Sequence, residues 1–214
     1  MSKDAFVQKS CCERKIFVYD NLESTNTHAM FLASKGEQEG TVVIADSQTA
    51  GRGRFGRIWI SPSGVNLYMS VILRPPVPAG KAWILTLLGT MAVVGAIEKL
   101  AGLRADVKWP NDVFLNGKKT AGVLAETSSG SGNTINHLVL GIGVNLNLDV
   151  RDLPENLRNI ATSVKAHCKR KIDRSLFTAE LLNRLDNMYA DFTLQGPVNI
   201  IESWSNKSKQ THNL

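Results

Sequence analysis

Read for alternation and helical spacing, the chain divides into short strand-like runs and a few apolar or amphipathic helical stretches. Residues 15–20 and the β-branched run 41–46 have the patterning of strands. Between them Ser24-Thr25-Asn26 stands where a helix N-cap belongs, ahead of Ala29, Met30, Leu32 and Ala33, with Gly36 as the stop. Residues 66–74 form another strand, ended by Pro75 and Pro76, and an apolar helix follows over 81–100 and stops at Gly102. A short strand over 105–109 is broken by Pro110. The run 112–115 then turns at Asn116-Gly117, a strong hairpin signal, and returns over 119–126. A Ser/Gly-rich connection at 128–133 leads to a strand over 137–147, in which Gly141 and Gly143 permit close backbone approach. Beyond it the pattern is helical: Ser175 reads as the cap of a helix reaching 192, and Pro197 opens a short last helix ending near Trp204. Helices interleave with strands, yet the hairpin makes the sheet at least partly antiparallel. The expected fold class is α+β, a mixed sheet flanked by helices, in one domain without internal repeats.

Composition fits one globular unit, with 43% hydrophobic and 21% charged residues in 214. The net charge of +6 raises the question of nucleic acid, but the excess is dispersed instead of gathered on one stripe, so no DNA partner is expected. Its densest run, Lys165, Lys169, Arg170, Lys171 and Arg174, reads as a solvated loop or helix end. The uncharged stretch 82–97 is sixteen residues long, short of the roughly 20 that span a bilayer, and is expected as a buried helix with no membrane partner. Cys11 and Cys12 are adjacent and Cys168 stands alone, which gives neither a disulfide framework nor a C-x-x-C metal pair. The first residues include Asp4 and Glu13 and lack an apolar leader core, so a cytoplasmic location is expected. His28, His137, His167 and His212 lack ligand spacing, and no structural metal is expected.

The chemistry concentrates in two segments. At 51–57 the run Gly-Arg-Gly-Arg-Phe-Gly-Arg offers glycines, which let backbone N–H groups approach an anion, and the planar forks of Arg52, Arg54 and Arg57, which suit phosphate and carboxylate oxygens. It satisfies G-x-G-x-x-G, but β-like Ile58-Trp59-Ile60 and the turn Ser61-Pro62-Ser63-Gly64 follow it where a dinucleotide fingerprint needs a helix. The alternative is a solvated basic loop. The second segment, Lys108-Trp109-Pro110-Asn111-Asp112, closes a strand on a lysine suited either to a phosphate or to a carboxylate such as Asp112 or Glu126. Asp112 and Asn111 could hold Mg²⁺ through oxygen, or simply form an Asx turn.

Together with Glu23-Ser24-Thr25-Asn26, QTAGRGRFGRIW at 48–59 followed by Ser61-Pro62, LYMSVILRP at 67–75, GKKTAGVLAE at 117–126 and GIGVNLN at 141–147, these segments resemble the catalytic domain of biotin protein ligases, in that family's order. The resemblance covers residues 15–205 and implies that family's fold. It also implies a two-step reaction in which biotin and MgATP give biotinyl-5′-adenylate and pyrophosphate, and a lysine of a biotin carboxyl carrier protein or domain then takes the biotin. It places the ureido head of biotin near Ser24, Thr25 and Gln48, with Asn26, Arg52, Gly53, Arg54 and Lys108 completing the biotin site. Lys108 and Arg54 become the catalytic pair; Arg54, Arg57, Trp59 and Asn111 take the nucleotide; Asp112 is the candidate Mg²⁺ ligand. Biotin and MgATP enter as substrates, with no permanently bound cofactor, and a homodimer is allowed. Residues 1–14 read as an extension and 206–214 as a polar tail. The helix-turn-helix domain that precedes some relatives and the small β-barrel that follows most of them are not expected. A ligase for lipoate or another carboxylic acid, or a non-catalytic biotin-binding module, are the alternatives.

Overall fold

The computed structural model describes residues 14–130 and 134–211; Cys11, Cys12, His212 and residues 131–133 of the Ser/Gly-rich connection lie outside the described residues, while Ser128 and Ser129, expected in that connection, end a strand. In chain order the elements are β1 (Ile16–Leu22), α1 (Thr25–Ser34), β2 (Val42–Gln48), β3 (Leu67–Leu73), α2 (Trp83–Ala101), β4 (Asp106–Lys108), β5 (Asp112–Leu115), β6 (Lys118–Ser129), β7 (Ile135–Val144), α3 (Glu155–Arg158), α4 (Val164–Cys168), α5 (Arg174–Gln195) and α6 (Val198–Thr211). One seven-stranded sheet has the order β1-β2-β3-β7-β6-β5-β4. Only β1 and β2 run parallel, as a strand–helix–strand crossover requires, and every other pair is antiparallel. The sheet is thus mixed, as the patterning implied.

Alternation divides the strands between two faces. On one, Val42, Ile44, Leu67, Met69, Val71, Leu138, Leu140, Ile142 and Val123 pack with α2 and α5 into the main core. α2 is long and apolar enough to cross a membrane by composition, but most of it is buried inside the fold. On the other face α1 covers only part of the sheet, packing Ala29 and Ala33 on Val43, Ile72 and Val139. The uncovered remainder is where the cavity forms.

Several boundaries differ from the sequence reading. The helix after Pro75-Pro76 begins at Trp83, behind a single 3₁₀ turn at Ala79–Lys81, and ends where Gly102 takes the left-handed conformation at φ 68°. α5 is capped by Asp173 rather than Ser175, because the Asp173 carboxylate accepts from the backbone N–H groups of both Ser175 and Leu176. α6 continues through Thr211, so the expected polar tail is largely helical: no Gly or Pro interrupts it, and Lys207 pairs with Glu98 of α2. The basic run is not uniformly solvated. Lys165 lies in α4, and Arg174 is 4% exposed with Nη1 2.7 Å from Asp46 Oδ1.

Candidate active site

The head of α1 supplies the first wall. Ser24 caps the helix with a long 3.5 Å acceptance from Thr27 N–H, and Ser24, Thr25 and Asn26 are all buried. They can sit against the sheet because β7 carries Gly141 beneath them: a Cβ there would come 2.0 Å from Asn26 Oδ1. Asn26 Oδ1 can only accept, so the Ser70 hydroxyl, 2.6 Å away, donates to it. The Thr25 hydroxyl lies 2.8 Å from Ser70 Oγ and donates to Gln48 Oε1 at 3.2 Å. Gln48, at the end of β2, accepts from Thr25 N–H at 2.9 Å and donates through Nε2 to Ser61 Oγ at 2.9 Å; Ser61 in turn donates to the Trp59 carbonyl.

The arginine loop leaves from that strand end. Its base is closed by isolated bridges between Gln48 and Ser61 and between Arg52 and Ile58, and Gly53 N–H donates to the Arg57 carbonyl at 2.7 Å. Gly51 is required: a Cβ would lie 2.4 Å from the Trp59 carbonyl. No helix follows, which removes the dinucleotide-fingerprint reading. Arg54 reaches across the cavity, donating through Nη1 to Asn111 Oδ1 at 3.3 Å, with its guanidinium 4.7 Å from the Phe55 ring centre. The loop and the Lys108–Asp112 turn, distant in sequence, therefore meet. Arg57 is exposed on the rim. The Arg52 guanidinium pairs with Glu126 Oε2 at 2.8 Å.

The floor is a row of paired residues crossing the sheet, Lys108–Asp112–Gly122–Gly143–Tyr68. The glycines leave space for the indole of Trp59, which a Cβ on Gly143 would approach to 2.7 Å. Burial pushes the Tyr68 phenol well above its usual range, so the floor there stays neutral, its hydroxyl donating to the Pro62 carbonyl. Asn111 is not an isolated Asx turn; its amide donates to the Val123 carbonyl and its backbone carbonyl accepts from Val123 N–H. Neither carboxylate considered for Lys108 is its partner. Asp112 pairs with Lys119 at 2.6 Å, and Glu126 is taken by Arg52 and Asn26. Among the described residues no three His, Cys, Asp or Glu side chains cluster as a metal site.

These pieces enclose a cavity of about 710 Å³, lined by Ser24, Thr25, Asn26, Gln48, Arg52, Gly53, Arg54, Arg57, Trp59, Lys108, Asn111 and Asp112. Every site residue expected from the sequence lines this one space. Residues 18–145 match the model of the biotin/lipoate A/B protein ligase family. The chain belongs to that family. The bifunctional ligase/repressor BirA of Bacillus subtilis is 42% identical over 181 residues, 85% of this chain and 55% of that protein. The biotin–[acetyl-CoA-carboxylase] ligase of Paracoccus denitrificans is 44% identical over 126 residues, 58% of this chain and 51% of that protein. Among solved structures, the biotin protein ligase from Aquifex aeolicus in complex with biotin and ATP superposes with a TM-score of 0.78 at 30% identity, covering 91% of this chain and 78% of that one. The chain spans about half the length of the curated relatives it matches.

Within this family member the sequence reading missed Lys119. Its ammonium is 5.4 Å from the Trp59 ring centre while paired to Asp112, inside the cavity. By alternation from buried Ala121 and Val123 it should face the core, but a register shift at Val113/Phe114 places an extra residue, Thr120, between the paired positions and turns Lys119 to the other face. Also missed was the wall at Leu157, Asn159, Ile160 and Ala161, tied to β6 by Lys119 N–H donating to the Ile160 carbonyl. No local motif marked it.

Proposed function

We propose that this chain activates biotin with ATP to biotinyl-5′-adenylate and transfers the biotin to a lysine of a biotin carboxyl carrier protein or domain, with residues 15–205 as the catalytic unit. The observation that carries the reading is the single cavity joining neutral donors and acceptors at the head of α1 to a cationic end built by Arg54, Arg57, Lys108 and Lys119. A neutral urea fits the first and a carboxylate with a nucleotide phosphate fits the second. The names of the relatives point the same way.

In the first step a biotin carboxylate oxygen attacks the α-phosphorus of ATP, and the bond from that phosphorus to the pyrophosphate oxygen breaks. Lys108, without Asp112 or Glu126 as counter-ion, meets the charge that grows on the α-phosphate. Arg54, steered by Asn111, holds the acyl and phosphate oxygens and helps exclude water from the anhydride. Arg52 and Gly53 contribute through the loop backbone, and Trp59 offers its ring to the adenine. The nucleotide would enter as its Mg²⁺ complex, and Asp112, the carboxylate in the cavity lining, would help hold the ion once Lys119 gives way. In the second step the carrier lysine amine attacks the acyl carbon, AMP leaves, and the amine loses its proton. No DNA or membrane contact enters this scheme; it runs in the cytoplasm, in a monomer or a homodimer.

Biotin-dependent exchange of labelled pyrophosphate into ATP is the deciding measurement, and exchange is expected. Exchange with lipoate alone would assign the chain to the other branch of the family. Biotin binding without exchange would leave a binding module.

A further inference from the structure

Glu126 lies outside the cavity lining, on β6 opposite Val139, yet one of its oxygens holds two parts of the site together. Oε2 accepts from Asn26 Nδ2 at 2.7 Å and from Arg52 Nη2 at 2.8 Å. The first donor belongs to the head of α1 and the second to the start of the arginine loop. The far end of the loop is tied to the same helix turn by the route from the Trp59 carbonyl through Ser61 and Gln48 to Thr25. Gly51, Gly53 and Gly56 give the loop little conformational preference of its own, so its place over the cavity depends on such ties, these two beside the Arg54–Asn111 bond and the backbone bonds of Thr49 and Ala50 to Leu22 and Glu23. The two anchors are unequal. The Gln48 route uses neutral groups, whereas the Glu126 route contains a carboxylate bonded to a guanidinium.

We propose that Glu126 is a positioning residue that fastens the start of the arginine loop to the head of α1 and so holds the loop over the cavity. The inference rests on the biotin reading for the identity of the ligand, but not for the tie itself. Asn26 is already fixed by Leu124, Glu126 and Ser70, so the helix head is a rigid post to which Glu126 ties Arg52.

The test uses the full chain, Glu126→Gln, Arg52→Gln and the double variant. Trypsin cleaves after arginine, so cleavage after Arg54 and Arg57, sites that every variant keeps, reads loop opening directly and needs no catalysis. Expected for Glu126→Gln are loop cleavage about tenfold faster, biotin affinity about tenfold weaker, and single-turnover adenylation at saturating biotin within about twofold of wild type, the size expected when one charge-assisted bond is weakened. Arg52→Gln should reproduce the loop effect, and the double variant should add little to either. Unchanged cleavage, additive effects, or equal losses in affinity and saturated rate would overturn the proposal. If Glu126→Gln lowers the melting temperature, Arg52→Gln alone, on the more exposed end of the bond, decides. Failure of biotin to protect the wild-type loop, with the two variants still coupled, would count against biotin as the ligand and leave the tie standing.

Discussion

At the scale of single residues, the site separates charge that is neutralised from charge that is not. Asp112 is occupied by Lys119 and Glu126 by Arg52, which leaves Lys108 without either carboxylate, as the proposed role requires. Lys108→Ala should therefore slow single-turnover adenylation by about a hundredfold, roughly 3 kcal/mol, while calorimetric biotin affinity changes far less. Equal losses in both would make Lys108 a ground-state contact. The glycines of β7 allow a second separation. Gly141→Ala forces a methyl onto buried, triply bonded Asn26, and Gly143→Ala forces one onto the Trp59 ring. The first should weaken biotin binding by about tenfold and the second nucleotide binding instead, each at a cost of about 1–3 kcal/mol in stability from overpacking. Titrations with biotin and with a non-hydrolysable ATP analogue read the two effects apart; the same pattern from both variants would contradict the division of the cavity. The glycines were legible in the sequence as sites of close approach. What approaches them was not, because Asn26 and Trp59 come from segments far away in the chain.

Among elements, α5 is joined to β2 through Arg174, which the sequence placed in a solvated run. Arg174 is buried at the start of α5, and Asp46 on β2 is about a third exposed. Burial works against ionisation of Asp46, but hydrogen bonds from Ser63 and Arg174, with the Arg174 charge, outweigh it and hold the carboxyl below its usual value of 3.8. A depressed folded-state pKa means stability that is fully present above the unfolded value and lost as pH falls through the folded one. Asp46→Asn should cost on the order of 2 kcal/mol at pH 7, less than the roughly 3–5 lost on breaking a fully buried pair. The difference from wild type should shrink below about pH 4. Urea unfolding at pH 7 and pH 3 checks this; a difference that persists at pH 3 would mean that the asparagine acts through packing. Lys119 teaches the same lesson in β6, where one bulge carries a lysine from the expected core face to the cavity.

For the whole molecule, one sheet serves as core wall on one face and cavity floor on the other, so neighbouring residues of β7 should have unlike roles. Leu140 belongs to the main core and Gly141 lies under α1. Leu140→Ala should destabilise the protein by about 2–5 kcal/mol, yet leave the biotin affinity of the folded protein unchanged. A loss of affinity matching the loss of stability would show that the two faces are not separable.

Local pattern alone determined the strands of the sheet, the Ser24 cap, the Asn116-Gly117 turn and the two motif segments, because backbone geometry and turn chemistry act over a few residues. It also determined that a cationic loop and a lysine-bearing turn exist. Only the tertiary structure decided which partner each charge has. Arg52 with Glu126, Arg174 with Asp46, Lys119 with Asp112 and Arg54 with Asn111 are pairings set by strand order, register and one bulge. In sequence any arginine or lysine suits any carboxylate about equally well, and the choice among them is made by where the sheet brings the side chains.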